Sequence, residues 1–535
     1  VILDMKLVRG RIITMDPERP EATTVGVWRG QIVGLDEEVA GLRAERTVDL
    51  DGAVLLPGFV DAHTHLAWAG RASVTADVSG CRTVAEIIAR LREITPTSGW
   101  LEVAGYDHRV LDRPLTAADL DAVTRDRRVY VQDRSGHACV VNSLVLRELP
   151  AAVLAPGTPG VEFDRDGTPT GGLAEGAQTA VRALRLPYSV DEIADHVALG
   201  ARQCLAQGVT TAAEAGVAGG IVGSSPLEIA AYQRDRLPLR VQLMVSADVL
   251  HPITSHRDDR VTRAIDLGLR TGFGGDRLGL GALKVFTDGG MMARTAAMTE
   301  PYEGTDNSGQ LQDDPERMTA AILDGHAAGW QLAIHAIGDR ALDFTLDTLE
   351  EARRRHPREN TRHRVEHCGT TRPDQLDRIA DLNAIPVIQP TFLYDNGDDY
   401  SAIMGEHRTD WLYRGKSFLD KGITIAGSSD RPVTEGAPLR AVQFMVTRTA
   451  RNGARIGPAE AITVDQALAA YTRGSAYACG VEDTRGTIAA GKLADFAVLA
   501  DDPRSREAEK IGAIEVLATL VGGEPVHNPA NLDGA

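Results

Sequence analysis

"LAIHAIGDRALDFTLDTLEEARRRHPRENTRHRVEHC", residues 332–368, decides how this chain folds. It opens on a short apolar run, "LAIHAIG", and closes on another, "HRVEHC". Between them Leu342, Leu346 and Leu349 recur at helical spacing, opposite Asp343, Asp347 and Glu350. That is the pattern of a helix with one face against a core. Strand, amphipathic helix and strand in succession predict a βαβ unit, its two strands parallel and the helix crossing between them. Each strand ends near a histidine, His335 and His367, 32 residues apart.

The alternation extends in both directions. "PERMTAAILDGHAAG" is a helix before the quoted unit, and "AIPVIQPTF" carries a strand after it. Further upstream, "DEIADHVALGARQCLAQG" reads as a helix stopped by Gly208, followed by the short buried strand "VTTAAEAG". Strands alternating with crossover helices over this length predict an α/β fold, a (β/α)8 barrel of the TIM type. A doubly wound sheet is the rival, but no G-x-G-x-x-G follows a strand. Both ends alternate with period two instead: "KLVRGRIITM", "TTVGVWRGQIVGL" and "RTVDLDGAVLLPG" at one, "GTIAAGKLADFAVLADD" and "IEVLATLVGGEPVH" at the other. The expected organisation is a barrel over residues 58–479 and one small β-sandwich assembled from residues 1–57 and 480–535. A large insertion, roughly residues 75–190, is expected after the first barrel strand.

Bulk properties narrow the function. A chain of 535 residues exceeds one ordinary core. A net charge of −18 argues against nucleic acid as partner, and no run of 18 apolar residues offers a membrane span. Five scattered cysteines without a CxxC read as reduced thiols of a cytoplasmic protein. The opening residues show no basic segment followed by an apolar core, so no signal peptide is expected. A small molecule is the expected partner, and a homodimer the default assembly.

Chemistry-bearing residues recur at strand ends. In "GFVDAHTHL", residues 58–66, an extended backbone puts Asp61, His63 and His65 on one face. Two buried cations there would be costly, so neutral imidazoles sharing a ligand are the more economical reading. "LGALKVFTDGG" carries Lys284 and "TIAGSSDRPV" carries Asp430. In a (β/α)8 barrel such groups converge at the C-terminal ends of the strands, with about 30–40 residues per βα unit. The interval of 63 from His367 to Asp430 is two units, and 51 from Lys284 to His335 is one unit with a longer loop. The 219 residues from His65 to Lys284 leave room for the insertion. The ligand candidates therefore fall on strands 1, 4, 5, 6 and 8.

"PGFVDAHTH", the strand-end His335 and His367, and "SSDRPV" together resemble the amidohydrolase superfamily of metal-dependent hydrolases. "DRSGHACVVNS", "DGTPTGGLAE", "LKVFTDGGMMARTA", "EPYEGTDNSG" and "IHAIGDRAL" narrow the likeness to amidohydrolase family 3, which includes N-substituted formamide deformylases. The likeness runs from "VRGRIITMD" to "GKLADFAVLADDP". One departure stands out: where many relatives have "DGSLGSRTA", this chain has "DGGMMARTA", with Met291 and Met292 in place of small residues.

The resemblance implies a hydrolase of carbon–nitrogen bonds other than peptide bonds, acting on an amide, N-acyl or N-formyl amine through metal-activated hydroxide. His63 and His65 are then ligands of one metal, against a structural pair in a strand. His335 and His367 hold a second, or one of them ligates while the other polarises the carbonyl. Lys284 carries a CO2-derived carbamate, against an ordinary buried lysine paired with Asp288. Asp430 is metal ligand and general acid/base, against a turn or N-cap aspartate. Zinc, one ion or two, suits these donors, with manganese or iron as alternatives. His137 is placed over the mouth as a second catalytic group, and Glu175, Asp288 and Arg294 beside the substrate, each against a structural role. Trp68, Met291, Met292, Phe392 and Tyr394 line an apolar pocket or belong to the core. Asp339 reads as a helix cap and His363 as structural. Two other functions stay open: metal-dependent deamination of an amidine-like or heterocyclic carbon, and a non-catalytic assembly protein on the same scaffold. The second predicts lost ligands, and every one is present.

Overall fold

The computed structural model describes residues 2–94, 99–133, 138–219, 223, 225–234 and 237–532. Eight strands follow one another in chain order around a parallel sheet. They are β1 (Phe59–Thr64), β2 (Val209–Val217), β3 (Arg240–Ser246), β4 (Leu278–Phe286), β5 (Leu332–Ala336), β6 (Arg364–His367), β7 (Ile385–Ile388) and β8 (Ala426–Gly427). The Asp430 amide donates to the His63 carbonyl at 2.8 Å and the His65 amide to the Arg431 carbonyl at 3.0 Å, joining the last strand's exit to the first. This is the (β/α)8 barrel, and Lys284, His335, His367 and Asp430 leave β4, β5, β6 and β8 in the expected order. β1, β2 and β3 are buried along their whole length, as parallel strands covered on both faces must be. One cluster of small residues, including Ala62, Ala213, Ala215, Ala282, Ala333 and Ala426, packs among these strands. Small side chains there leave volume for long polar ones.

The quoted unit folds as read, β5, then a helix α1 (Asp339–Arg355), then β6, with Leu342, Leu346 and Leu349 buried. Asp339 is not the cap. Gly338 holds the N-cap position without a side-chain bond, and Asp339 accepts the amide of Thr299 at 2.9 Å and Arg372 Nη1 at 3.0 Å. Its carboxylate pins the loop after β4 because that loop passes directly over the start of α1.

The terminal segments form two further sheets. One has the strand order Gln31–Leu35, Val25–Trp28, Ile2–Val8, Arg43–Asp49. The other joins both ends of the chain, with Phe496–Leu499 antiparallel to Val54–Pro57. Met5, Leu7, Val25, Ile32, Leu55, Phe496, Val498 and Leu520 form one core between them, a β-sandwich. Gly58 connects this sandwich to β1, and a Cβ there would lie 2.2 Å from the Thr210 side chain. Only glycine allows that approach.

Residues 69–196 form a separate compact unit, the insertion after β1. Its six-stranded sheet runs in the order Val161–Phe163, Pro169–Ala174, Ala138–Val141, Arg128–Asp133, Trp100–Tyr106, Ala76–Asp77. It has apolar clusters of its own, around Val103 and Val131 and around Val141 and Val181. Among the described residues no helix is long and apolar enough to cross a membrane.

Candidate metal centre

His63 is buried near the end of β1, and His65 stands just past it, also buried. Their neighbour Asp61 does not join them. The register between β1 and β2 shifts between Asp61 and Thr64, and the bulge breaks the two-residue alternation. Asp61 Oδ1 instead accepts the Ser429 amide at 2.9 Å and the His63 amide at 3.3 Å, which ties β1 to the turn that carries Asp430.

Asp430 Oδ1 lies 3.3 Å from His63 Nε2 and 2.9 Å from His65 Nε2. His367 completes the cluster. One donor atom each from His63, His367 and Asp430 lie within 4.8 Å of one another, and all three residues are buried. The His367 ring sits 5.1 Å from that of His63 and 4.4 Å from that of His335. Both chain reversals at this point use left-handed backbone, φ +70° at His367, +44° at Cys368 and +51° at Asp430. Non-glycine residues adopt that region at a cost of about 1–3 kcal/mol each. Here it turns two side chains into the bore that regular strand ends would direct elsewhere.

Lys284 is 2 % exposed, and its Nζ has no hydrogen-bond partner. It lies 4.7 Å from the centre of the Phe286 ring. Burial brings its ammonium down to about 8, against the opposing pull of the Glu366 and Asp430 carboxylates. It is not paired with Asp288. That carboxylate is buried and accepts the amides of Ala297 at 2.9 Å, Ile337 at 3.0 Å and Gly338 at 2.8 Å. Asp288 therefore anchors the loops after β4 and β5, with its Oδ1 also 3.3 Å from His335 Nε2. His335 Nε2 in addition faces the Gly289 carbonyl at 3.2 Å.

Three buried polar residues beside these went unread in the sequence. Glu366, one residue before His367, lies 2.5 Å from His63 Nδ1. Gln389, just past β7, meets His367 Nδ1 at 2.8 Å. Glu214 on β2 accepts the Leu66 amide at 2.7 Å and approaches His65 Nδ1 at 4.0 Å; burial pushes its carboxyl up to about 8. Strand-end position was the signal for Glu214 and Gln389.

The remaining candidates separate. The Trp68 ring lies 5.6 Å from that of His65, and Phe392 6.1 Å from that of His367. Met291 is buried, whereas Met292 and Arg294 are exposed. Tyr394 receives Arg440 Nη1 on its hydroxyl at 3.2 Å, with the guanidiniums of Arg440 and Arg451 over its ring. Glu175 opens the helix Glu175–Arg185 of the inserted unit, with its side chain outside the described residues. His137 lies outside the described residues altogether.

Comparison with known proteins agrees with the geometry. A model of the amidohydrolase family matches residues 46–527. YtcJ of Bacillus subtilis (strain 168), which carries an amidohydrolase name, is 29% identical over 97% of this chain and 98% of its own. The N-substituted formamide deformylase of Arthrobacter pascens is 29% identical over 97% of each. Among solved structures, an uncharacterized metal-dependent hydrolase from Pyrococcus furiosus superposes with a TM-score of 0.76 at 26% identity, covering 94% of this chain and all (100%) of that one.

Proposed function

This chain belongs to the amidohydrolase family, and from that premise we propose that it hydrolyses the C–N bond of a small amide, N-acyl amine or N-formyl amine. The observation that carries the proposal is the convergence of His63, His367 and Asp430 at the C-terminal ends of three strands. Two imidazole nitrogens and a carboxylate oxygen suit a divalent cation, zinc first and manganese or iron next. Asp430 Oδ1, lodged within 3.3 Å of two ring nitrogens, fits such an ion. Bound there, it supplies Lewis acidity, polarising the scissile carbonyl and acidifying water.

His63, His367 and Asp430 are the proposed ligands, with His65 beside them. Asp430 accepts the proton of the attacking water and passes it to the leaving nitrogen as the C–N bond breaks. His335, its ring 4.4 Å from that of His367, borders the scissile carbonyl. With its ammonium down to about 8, Lys284 holds a neutral fraction near neutral pH. That amine adds CO2 and releases a proton, and the carbamate gives the orphaned position two oxygens that share one negative charge. The rings of Trp68, Phe286 and Phe392 beside His65, His335 and His367 favour an apolar substituent on the substrate.

A panel of N-substituted formamides, N-acyl amino acids and cyclic amides, offered to zinc-loaded protein, tests this reading. The expected result is release of the free amine in proportion to bound zinc. Release of ammonia from heterocyclic amidines, with every acyl substrate inert, replaces it with deamination.

A further inference from the structure

We infer that Arg364 and Glu366 form a positioning pair that sets the metal affinity of His63 from inside the barrel. The two side chains stand two residues apart on β6, and each is at most 1% exposed. Arg364 donates from Nε to Glu366 Oε1 at 2.8 Å and from Nη2 to Oε2 at 2.9 Å. The same Nη2 reaches the Ala62 carbonyl on β1 at 2.5 Å, so the guanidinium braces β6 against the strand that carries His63. Arg364 Nη1 lies 3.8 Å from Cys479 Sγ. Glu366 Oε2, shared with Arg364, then meets His63 Nδ1 at 2.5 Å.

Donor and acceptor roles follow. A guanidinium only donates, and it holds Glu366 as a carboxylate, which only accepts. The proton between Glu366 and His63 therefore sits on Nδ1. In that tautomer His63 presents the lone pair of Nε2, the nitrogen 3.3 Å from Asp430 Oδ1, and a cation between the two satisfies both acceptors. Glu366 thus fixes the histidine's tautomer and ring orientation, and Arg364 fixes Glu366. Carboxylates behind a ligating imidazole typically change metal affinity by about 10–100-fold.

The inference rests on the metal-centre reading above, so the test measures binding rather than turnover. Full-length protein is stripped with a chelator and titrated with zinc against a competing indicator; cobalt(II) in the same site gives a visible spectrum. In Glu366→Gln one acceptor oxygen must serve three donors, and whichever way the amide turns, its NH2 faces Arg364 or His63. The expected result is zinc binding weakened about 10–100-fold with an altered cobalt spectrum. A second variant, Arg364→Leu with Glu366→Leu, removes both charges and leaves no uncompensated one. It is expected to fold, to match the wild type in thermal midpoint without metal, and still to bind zinc as weakly as Glu366→Gln.

Zinc affinity within twofold of the wild type in Glu366→Gln overturns the inference. So does recovery of affinity in the double variant together with its stability, since that is the mark of a purely structural ion pair. Wild-type protein that takes up no zinc at all overturns the metal centre itself, and this inference with it.

Discussion

Two groups of buried histidines lie at opposite ends of the same barrel strands, and they differ in what their nitrogens do. Beyond the C-terminal ends, His63, His65, His335 and His367 crowd around Asp430 and an unpartnered lysine. Below the N-terminal ends, His326 and His363 form a closed relay. The Leu332 amide donates to His363 Nδ1 at 3.0 Å, His363 Nε2 meets His326 Nδ1 at 2.8 Å, and His326 Nε2 meets the His356 carbonyl at 2.8 Å. Each end of the relay fixes the tautomer of the next ring: a carbonyl accepts, so His326 Nε2 carries its proton, and His363 Nε2 must donate. Every nitrogen is spent. At the mouth, His63 and His367 each spend one nitrogen on Glu366 or Gln389 and turn the other toward a shared point. Burial alone does not distinguish a site from a strut; the count of uncommitted donor atoms does.

The sharpest way to break this comparison is to disable one member of the mouth without emptying it. Asp430→Asn keeps an oxygen near His63 and His367 but cannot carry a proton. Turnover is expected to fall by about 10²–10⁴-fold, with zinc still present by elemental analysis of the purified variant. Turnover near the wild-type rate removes Asp430 from proton transfer.

The sequence made the mouth more legible than anything else in the molecule, for a physical reason. Barrel topology converts positions at strand ends into neighbours, so His63, Lys284, His335, His367 and Asp430 could be placed on strands 1, 4, 5, 6 and 8 by counting residues. The βα unit at 332–368 and the sandwich of the two termini were readable from periodicity. Contacts across the bore were not. His63 and Glu366 are separated by 303 residues, and nothing local to "HRVEHC" marks the glutamate as distinct from an exposed one. Asp61 misled because strict alternation ignores a bulge. Lys284 and Asp288 look like an ion pair four residues apart, yet three backbone amides claim the carboxylate. The floor relay is illegible for the same reason as Glu366. It joins a helix end to a strand start through ring nitrogens whose direction only coordinates reveal.

A smaller effect is expected from the floor. His363→Leu leaves the Leu332 amide and His326 Nδ1 buried without partners, and each such loss costs about 1–3 kcal/mol. Urea unfolding is expected to show reduced stability, while zinc affinity stays at the wild-type value. Loss of zinc from this variant would mean that floor and mouth are one coupled system.

The smallest effect is one of pH, and both ends contribute to it, since burial also lowers the pKa of His65 and His367 at the mouth. Burial lowers the pKa of both His326 and His363; at His326 it prevails, with the charge of Arg358, over the hydrogen bond to the His356 carbonyl, and at His363 His326 and Arg358 add to it. Arg358 itself is occupied, donating to the carbonyls of His326, Gly329 and Trp330. In the unfolded chain a histidine takes up its proton near pH 6.5, whereas these two refuse it. Below that value the unfolded state binds more protons than the native one, so stability falls as pH falls and is flat above it. The mouth carboxylates act later. Burial raises the Glu366 pKa, but Arg364, the hydrogen bond to His63 and Lys284 together outweigh it and leave the pKa lowered, so its contribution is complete above about pH 4.5 and is lost below it. Urea midpoints are therefore expected to decline by the equivalent of about 1 kcal/mol for each such histidine between pH 6.5 and 5.5 in the wild type. The decline should be shallower in His363→Leu. An equal slope in the wild type and His363→Leu would place the sensitive histidines somewhere other than the floor.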